Sequence, residues 1–437
     1  MTEETSAGAP QTPQDVKQPE TPKLLQVLGP GLITGASDDD PSGIATYSQA
    51  GAQFGYNMAW VMLFSWPLMC AIQEISARIG RVTGRGIAGN LKQHYPRSIL
   101  ISMVALLLVA NTINLGADLG AMAAGLKLVI GGPELLYVAA FGLISILLEV
   151  FVRYSRYVSV LKWLTLALFA YVGVAFVVHI PWGSVAYRLV APHIEWSRAY
   201  LTTLVAILGT TISPYLFFWQ AEEEVEEVRE RDGAKPLARA PRQAPAELKR
   251  IRIDTYLGMG FSNIVALFII LTTAATLHAN GVTDIQTSAQ AAQALRPIAG
   301  QATFVVFALG IVGTGLLAVP VLAGSAAYAV GEAFGWHVGL ARRLRRAKAF
   351  YATIAGATIV GAALNFTSID PIKALFWSAV LNGVVAVPVM TMMMLLASRT
   401  AVMGRFTLTG PLKAVGWVAT LVMAAAAIGM FATMGGG

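Results

Sequence analysis

The sequence contains little charge and a single cysteine. Only 13% of its 437 residues are Asp, Glu, Lys or Arg, against about 25% in an average soluble domain, which argues against a soluble globular protein. The one cysteine, Cys70, excludes an intramolecular disulfide. The sequence also contains no HExxH or GxSxG motif and no convincing aspartyl pair, so the usual signatures of an intramembrane enzyme are missing.

Apolar sequence is abundant. Hydrophobic residues make up 56% of the chain and the mean hydropathy is +0.62, with many runs near the ~20 residues that a membrane-spanning helix needs. We therefore expect an all-α membrane protein with about eleven transmembrane helices. The runs cover approximately residues 24–50, 56–77, 99–125, 133–152, 158–180, 200–220, 255–278, 302–330, 349–368, 371–397 and 412–434.

The basic residues predict the orientation. If the N-terminus is cytoplasmic, 26 of the 31 Lys and Arg residues fall on cytoplasmic segments, as the positive-inside rule requires. This distribution predicts a multi-pass protein of the plasma (inner) membrane, with the N-terminus inside and the C-terminus outside. It also accounts for the net charge of +7 without a nucleic-acid partner. Residues 1–22 are polar, lack an apolar core and are expected to form a disordered cytoplasmic tail.

The first apolar run contains the sequence Asp38-Asp39-Asp40-Pro41. A carboxylate inside a bilayer is costly and marks a functional site by default, and a proline beside it interrupts the helix. In a continuous helix Asp38 and Asp39 would point about 100° apart. We therefore expect one of them, assigned here as Asp39, to join Asp40 at an ion, and the other to pair across the bundle or line the entrance.

A second helix break is predicted at Pro214, which follows Thr210, Thr211 and Ser213. Pro41 and Pro214 each lie in the first span of a five-span block, and because five is odd the second block enters the membrane from the opposite side. This layout predicts a 5+5 inverted repeat of the amino-acid/sodium symporter type, in which broken helices 1 and 6 form a substrate site near the midplane. Ordinary proline kinks are the alternative interpretation.

The expected domains follow from this repeat. Residues 23–180 form the first repeat, residues 200–397 the second, and residues 398–437 the eleventh span and the C-terminus. The second repeat includes a cytoplasmic loop, residues 222–252, which opens with five glutamates and turns basic after Val228. This loop is interpreted either as a solvated helix extension followed by a linker or as a vestibule that attracts cations.

The sequence around the first break resembles the natural resistance-associated macrophage protein (Nramp) family of divalent-metal transporters. That family has Asp-Pro-Gly-Asn followed by a Gln-Ala-Gly-Ala-Gln-Phe-Gly stretch in its first helix. The matching segments here are Asp40-Pro41-Ser42-Gly43 with Gln49-Ala50-Gly51-Ala52-Gln53-Phe54-Gly55, then Gln73, Ser76-Ala77-Arg78, Gly80 and Thr83-Gly84 in the second span, Asp118-Leu119 in the third and Thr211-Ile212-Ser213-Pro214-Tyr215 in the sixth. The similarity runs over roughly residues 24–400 and is dense in the first hundred.

The resemblance implies a metal site in which this chain departs from the family pattern. Asp40 keeps the family's carboxylate, but Gly43 replaces its asparagine and Ser213 its methionine, and the family's carbonyl ligand falls at Thr210. The site has therefore lost a soft thioether and an amide. Oxygen ligands suit Mg²⁺, Ca²⁺ and Mn²⁺, and Mg²⁺ keeps several of its waters. We expect Mg²⁺, Mn²⁺ or both as the transported substrate.

The family's proton route also looks depleted here. Tyr215 replaces the histidine after the central proline, and Ala121 replaces a glutamate three residues after Asp118. None of the five histidines lies near the centre of a span, so an imidazole relay is lacking. Asp118 is assigned either to the ion pathway, with Tyr215, or to hydrogen bonds with neighbours such as Asn111 or Asn114. We hypothesise uncoupled or weakly coupled transport.

These substitutions favour the Nramp-related magnesium transporters, a divergent branch, over the proton-coupled Mn²⁺/Fe²⁺ importers. A sodium-coupled symporter of small organic solutes is a further alternative, although a central acidic cluster suits a cation better. Asn382, in the tenth span, is assigned as an oxygen donor facing the site, with helix packing as its other role. We expect no cofactor, a bilayer environment, and a monomer or weak oligomer.

Overall fold

The computed structural model describes residues 34–435 except 36, 153–163, 343 and 368. Its long elements are all helices, which we number in chain order. The α-helices of eight or more residues are α1 (Pro41–Phe54), α2 (Ala59–Thr83), α3 (Ile87–His94), α4 (Arg97–Ile130), α5 (Glu134–Phe151), α6 (Phe169–Val177), α7 (Trp182–Val190), α8 (Arg198–Thr211), α9 (Pro214–Glu230), α10 (Ala244–Thr276), α11 (Thr303–Phe334), α12 (Lys348–Ala363), α13 (Pro371–Ala397) and α14 (Gly410–Met434).

The helices have the length and composition of membrane spans. Nine helical stretches of the described residues are long and apolar enough to cross a bilayer, or ten if the pair α6 and α7, bent by 118°, counts as one. One of the nine, Pro41–Thr83, covers parts of two predicted spans, separated by a turn at Gly55–Met58. The prediction of an all-α membrane protein is confirmed. The predicted segments 24–33 and 158–163 lie outside the described residues.

The first helix break lies at the predicted aspartates. Residues 37 and 38 are helical, Asp39 is in a bend, and Asp40 is the extended N-cap of α1, with φ −70° and ψ 171°. Pro41 takes the first helical position, where its missing N–H costs nothing and its fixed φ suits the helix. The Asp40 side chain caps the helix by accepting from Gly43 N.

The second break repeats this design. Helix α8 ends at Thr211, Ser213 is the extended N-cap of α9 with φ −82° and ψ 133°, and Pro214 takes the first helical position. The second half of each broken helix thus begins with an oxygen-bearing side chain followed by proline. A helix N-terminus carries partial positive charge and a helix C-terminus partial negative charge, so both breaks expose polar backbone inside the protein.

Close backbone approach holds the broken helices in the bundle. A Cβ atom on Gly209 of α8 would lie 2.1 Å from the Ala379 carbonyl oxygen of α13. A Cβ on Gly80 of α2 would lie 2.0 Å from the Ala221 carbonyl oxygen of α9. Such contacts are typical of membrane bundles, where small residues let helices pack closely. Any larger side chain at these two glycines would separate the helices.

The acidic end of α9 is not a solvated extension. Glu224 is fully buried, and its Oε2 lies 2.5 Å from Arg250 of α10. Arg250 also pairs with Glu247 at 3.0 Å, and Glu247 pairs with the buried Arg81 of α2 at 3.1 Å. The solvated-helix interpretation was therefore wrong for residues 222–225, which are largely buried, because α10 supplies an arginine that pairs with Glu224. Residues 229 and 230, at the end of α9, are exposed.

Candidate metal site

The site is centred on the Asp40 carboxylate, which lies at the first break, is contacted by Tyr215 from the second, and is 1% exposed. Its Oδ1 accepts hydrogen bonds from Ser42 Oγ at 2.6 Å and Gly43 N at 2.7 Å. Its Oδ2 accepts from Asn114 Nδ2 at 3.2 Å and from the Tyr215 hydroxyl at 3.3 Å. Hydrogen bonds to a charged acceptor are stronger than neutral ones, so these four donors suit an ionised carboxylate inside the bundle.

Gly43 and Thr210 meet across the two broken helices. A Cβ atom on Gly43 would lie 3.3 Å from Thr210 Oγ1, 3.2 Å from a Tyr47 ring carbon and 3.4 Å from the Asp38 carbonyl oxygen. The position at which the family resemblance implies an asparagine therefore faces polar atoms of the sixth span. These distances are shorter than ordinary carbon contacts, so the glycine lets the two broken helices approach closely at this point.

The Ser213 hydroxyl folds back on the end of α8. It donates to the Gly209 carbonyl oxygen at 2.6 Å and to the Thr210 carbonyl oxygen at 2.9 Å. Ser213 and the Thr210 carbonyl, both assigned from sequence as ligands, are thus brought into direct contact. A hydroxyl that donates one hydrogen bond still has lone pairs that can accept or coordinate.

Asp38 and Asp39 share a hydrogen-bond partner across the bundle. Both carboxylates lie within hydrogen-bonding distance of Ser262 Oγ of α10, at 2.5 Å from Asp38 Oδ2 and 3.1 Å from Asp39 Oδ1. Asp39 lies in a bend, so the 100° rotation of a regular helix does not describe this pair. The structure therefore gives Asp38 and Asp39 the same partner on α10, and no hydrogen bond distinguishes one of them as a partner of Asp40.

Asp118 is buried in α4 with no hydrogen-bond donor on either carboxylate oxygen among the described residues. The two asparagines proposed as its partners bond elsewhere. Asn111 Nδ2 donates to the Leu322 carbonyl and to Ser325 of α11, both at 2.8 Å, and Asn114 donates to Asp40. The interpretation of Asp118 as a carboxylate held by Asn111 or Asn114 was wrong.

Asn382 lies one helical turn from Ser378 on α13, and both are 1% exposed. Ser378 Oγ donates to Asn114 Oδ1 at 2.7 Å, so α13 reaches Asp40 through Asn114. In the described part of the chain, Asn382 Nδ2 has no hydrogen-bond partner. The structure places Asn382 beside this network and gives it no hydrogen bond to Asp40.

Sequence reasoning missed Asn114, Ser42 and Ser262 as partners of the three aspartates. Asn114 lies one helical turn before Asp118, and this spacing was the available signal that it shares a helix face with a residue assigned to the ion pathway. Within the described ranges, no three His, Cys, Asp or Glu side chains form a metal-binding group. Any cation at Asp40 would therefore depend on hydroxyl, amide and carbonyl oxygens or on water. The sulfur of the buried Met122 packs near Gly315 of α11, which also contacts Pro41.

A cleft of about 520 Å³ opens on the opposite side of the bundle from the Glu224–Arg250 pair. Ala45 and Gln49 of α1, Thr203 of α8 and Trp377 of α13 line it, together with the charged residues Asp284, Arg198 and Lys373. Ala45 follows Asp40 by five residues along α1, about 7.5 Å at 1.5 Å per residue. Asp40, Thr210 and Ser213 themselves are buried, so the candidate site is closed off from this cleft.

Comparison with known proteins places this site in context. The family model described as natural resistance-associated macrophage protein-like matches residues 31–433. A divalent metal cation transporter, MntH of Burkholderia ambifaria, is 28% identical over 418 residues, covering 92% of this chain and 87% of the relative.

Solved structures share the fold. A manganese transporter of Eremococcus coleocola aligns with a TM-score of 0.72 at 18% identity, covering 94% of this chain and 87% of that chain. Mhp1, a nucleobase-cation-symport-1 family transporter, aligns with a TM-score of 0.51 at 14% identity and covers 93% of both chains. The predicted symporter-like architecture with two broken helices is confirmed at the level of fold.

Proposed function

The chain belongs to the natural resistance-associated macrophage protein-like family, and on that premise we propose that it transports divalent metal cations across the membrane through a site at Asp40. The relatives' printed names support this substrate class, since they include a divalent metal cation transporter and a manganese transporter. In this family the metal is the substrate of transport, and the chain acts neither as an enzyme nor with a cofactor.

We further propose that the preferred ion is Mg²⁺, Mn²⁺ or both. The observation that carries this proposal is the chemistry of the groups around Asp40. The hydrogen-bonding groups around its carboxylate come from Ser42, Gly43, Asn114 and Tyr215, and none of them contains sulfur. Hard divalent cations prefer oxygen ligands, such as the Asp40 carboxylate and the hydroxyls of Ser42 and Tyr215, whereas thioethers favour softer metals.

The lack of a ligand side chain at Gly43 supports transport of a partly hydrated ion. Glycine offers no amide or sulfur ligand there, so fewer protein groups around Asp40 could replace the water of the ion. Mg²⁺ gives up water reluctantly and is usually held by one or two carboxylates with several waters retained. We assign Asp40, Ser213 and the Thr210 carbonyl as ligands, with Gly43 as a site position that supplies no side-chain ligand and Asn382 and Asp39 at the edge of the site.

We propose that metal movement is not coupled to protons. Tyr215 occupies the position beside Asp40 where the resemblance implies a histidine, and a phenol does not change charge near neutral pH. A divalent ion that crosses 100 mV gains about 2 × 2.3 kcal/mol. The membrane potential is thus a sufficient driving force for uptake. Asp118 and Tyr215 then line the pathway without carrying a transported proton.

The orientation is proposed from charge. The end of the bundle with the Glu224–Arg250 network faces the cytoplasm and the Asp284 cleft faces outward, which puts the N-terminus inside and the C-terminus outside. The only native cysteine, Cys70, is buried, so a maleimide should react with a single exposed cysteine introduced on one side of the membrane and not with Cys70. In intact cells an impermeant maleimide should label Lys127→Cys and spare Arg346→Cys; the reverse pattern would overturn the orientation.

The experiment that tests the substrate is competitive uptake into proteoliposomes. Mn²⁺ influx should fall steeply when Mg²⁺ is added in large excess, because both ions would bind the same hard oxygen site. Mn²⁺ transport that a large Mg²⁺ excess leaves undisturbed would overturn the assignment of a hard-ion site. Uptake of labelled amino acids that ignores divalent metals would overturn metal transport itself.

A further inference from the structure

A second pair of carboxylates lies far from Asp40, at the proposed cytoplasmic ends of α9 and α11. Glu222 of α9 is 1% exposed, and within the described residues neither of its carboxylate oxygens accepts a hydrogen bond from an N–H or hydroxyl donor. Eight residues separate it from Pro214, about 12 Å along the helix. An isolated buried carboxylate is costly unless it is paired or coordinates a cation.

The partner of Glu222 is Glu332 of α11. A Cβ atom on Gly86 would lie 1.8 Å from Glu222 Oε1 and 2.6 Å from Glu332 Oε2, so the two carboxylates meet over this glycine. Glu332 also accepts hydrogen bonds from Gly86 N at 2.8 Å and Gly89 N at 2.7 Å, at the start of α3. Glu332 is therefore held in place, with its charge stabilised by backbone donors.

In the described part of the chain no basic residue forms an ion pair with Glu222 or Glu332, although Arg229 attracts both carboxylates from a greater distance. Lys92 Nζ donates to the Glu332 backbone carbonyl at 3.4 Å, and Arg229 pairs with Glu226 at 3.3 Å. Two carboxylates in contact cannot both stay ionised without a proton or a cation between them. Glu332 is partly exposed, which leaves a route to the pair from the aqueous side.

We propose that Glu222 and Glu332 bind a divalent cation of the Mg²⁺ and Mn²⁺ class at a second site, distinct from the Asp40 site. Two carboxylates with water completing the shell are a common way for proteins to hold Mg²⁺. The ion would join α9, whose N-terminus carries Ser213 and Tyr215, to α11 and to the start of α3. A cation bound there from the cytoplasm would restrain α9, the second half of the broken sixth span.

Binding of Mn²⁺ to the purified full chain tests this proposal, with free Mn²⁺ measured by electron paramagnetic resonance. The Asp40→Asn variant should still bind one Mn²⁺ per chain, and Mg²⁺ should displace it. Adding Glu222→Gln to that variant should reduce binding to none. The matched control is Glu230→Gln on the same helix, an exposed glutamate, which should leave one ion bound.

The outcomes separate this site from the proposed transport site. If Asp40→Asn remains folded and binds no Mn²⁺, the two glutamates share a proton instead of a cation and the proposal is overturned. In the Asp40→Asn background, binding that survives both Glu222→Gln and Glu332→Gln would overturn it too, and the second variant serves if the first does not fold. If the wild type binds only one ion and Asp40→Asn retains it, the second site stands and the Asp40 site fails.

Discussion

The hydroxyl of Tyr215 lies 3.3 Å from Asp40 Oδ2, although 175 residues separate them in the sequence. The same hydroxyl lies 3.2 Å from the Ser37 carbonyl oxygen. Tyr215 therefore connects the start of α9 to both sides of the first helix break. This contact joins the two broken helices at the carboxylate that we assign to the metal.

Removing this hydroxyl should weaken metal uptake. Tyr215→Phe keeps the ring and deletes one hydrogen bond to a charged group, an interaction that contributes about 1.5–3 kcal/mol. We expect an apparent metal affinity about tenfold lower or more, measured as the concentration dependence of Mn²⁺ influx. Tyr200→Phe is the control, because its hydroxyl bonds to the His193 carbonyl and to Trp60; equal effects in both variants would contradict the role of Tyr215.

Restoring a thioether at the site should change metal preference. Ser213→Met adds a soft ligand at a position that we assign to the metal, so uptake should shift from Mg²⁺ towards softer ions such as Cd²⁺. Met122→Leu is the matched control, since the Met122 sulfur packs near Gly315 outside the Asp40 hydrogen bonds. Ion selectivity is measured by competition, and a shift in the Met122 variant alone would place the selective group on α4 instead.

Adding a methyl group at Gly43 should slow transport by pushing the two broken helices apart. The methyl group of Gly43→Ala would press on Tyr47, Thr210 and the Asp38 carbonyl at 3.2 to 3.4 Å, closer than ordinary carbon contacts. Uptake of Mg²⁺ should fall more than uptake of Mn²⁺, because Mg²⁺ retains more water. Unchanged rates for both ions would show that the transported ion does not pass this position.

Asn114 should anchor Asp40. Asn114→Ala removes the donor to Asp40 and leaves Ser378 without its Asn114 partner, so metal affinity should fall about tenfold or more. Asn111→Ala, three residues earlier, removes bonds to α11 instead. It should lower the melting temperature while metal affinity is retained. Binding measured on purified protein distinguishes the two, and loss of affinity in the Asn111 variant alone would contradict the assignment.

The fold was largely predictable from the sequence because membrane spans follow from long apolar runs and helix breaks from prolines. Pro41 and Pro214 marked both breaks, and both occupy the first position of a helix. The directions of Asp38 and Asp39 were not predictable, since the bend at Asp39 is a tertiary feature that replaces helical geometry. The sequence pattern alone could not indicate that both would meet Ser262, 224 residues from Asp38.

The hydrogen-bond partners of buried polar groups could not be predicted from the sequence either. Asn111 and Asn114 are three residues apart on α4, yet one bonds to α11 and the other to Asp40. Which of the two reaches the site depends on how α4 is rotated against its neighbours. The same holds for the acidic end of α9, where burial against α10 determines that Glu224 pairs with Arg250.

The most direct test of the account measures Mg²⁺ entry and internal pH together in proteoliposomes with an inside-negative potential. Our account predicts Mg²⁺ influx in the wild type with no metal-dependent acidification. It also predicts no influx in Asp40→Asn, which keeps a helix-capping side chain at that position. Acidification that tracks Mg²⁺ entry would contradict uncoupled transport, and normal influx in Asp40→Asn would contradict a metal site at Asp40.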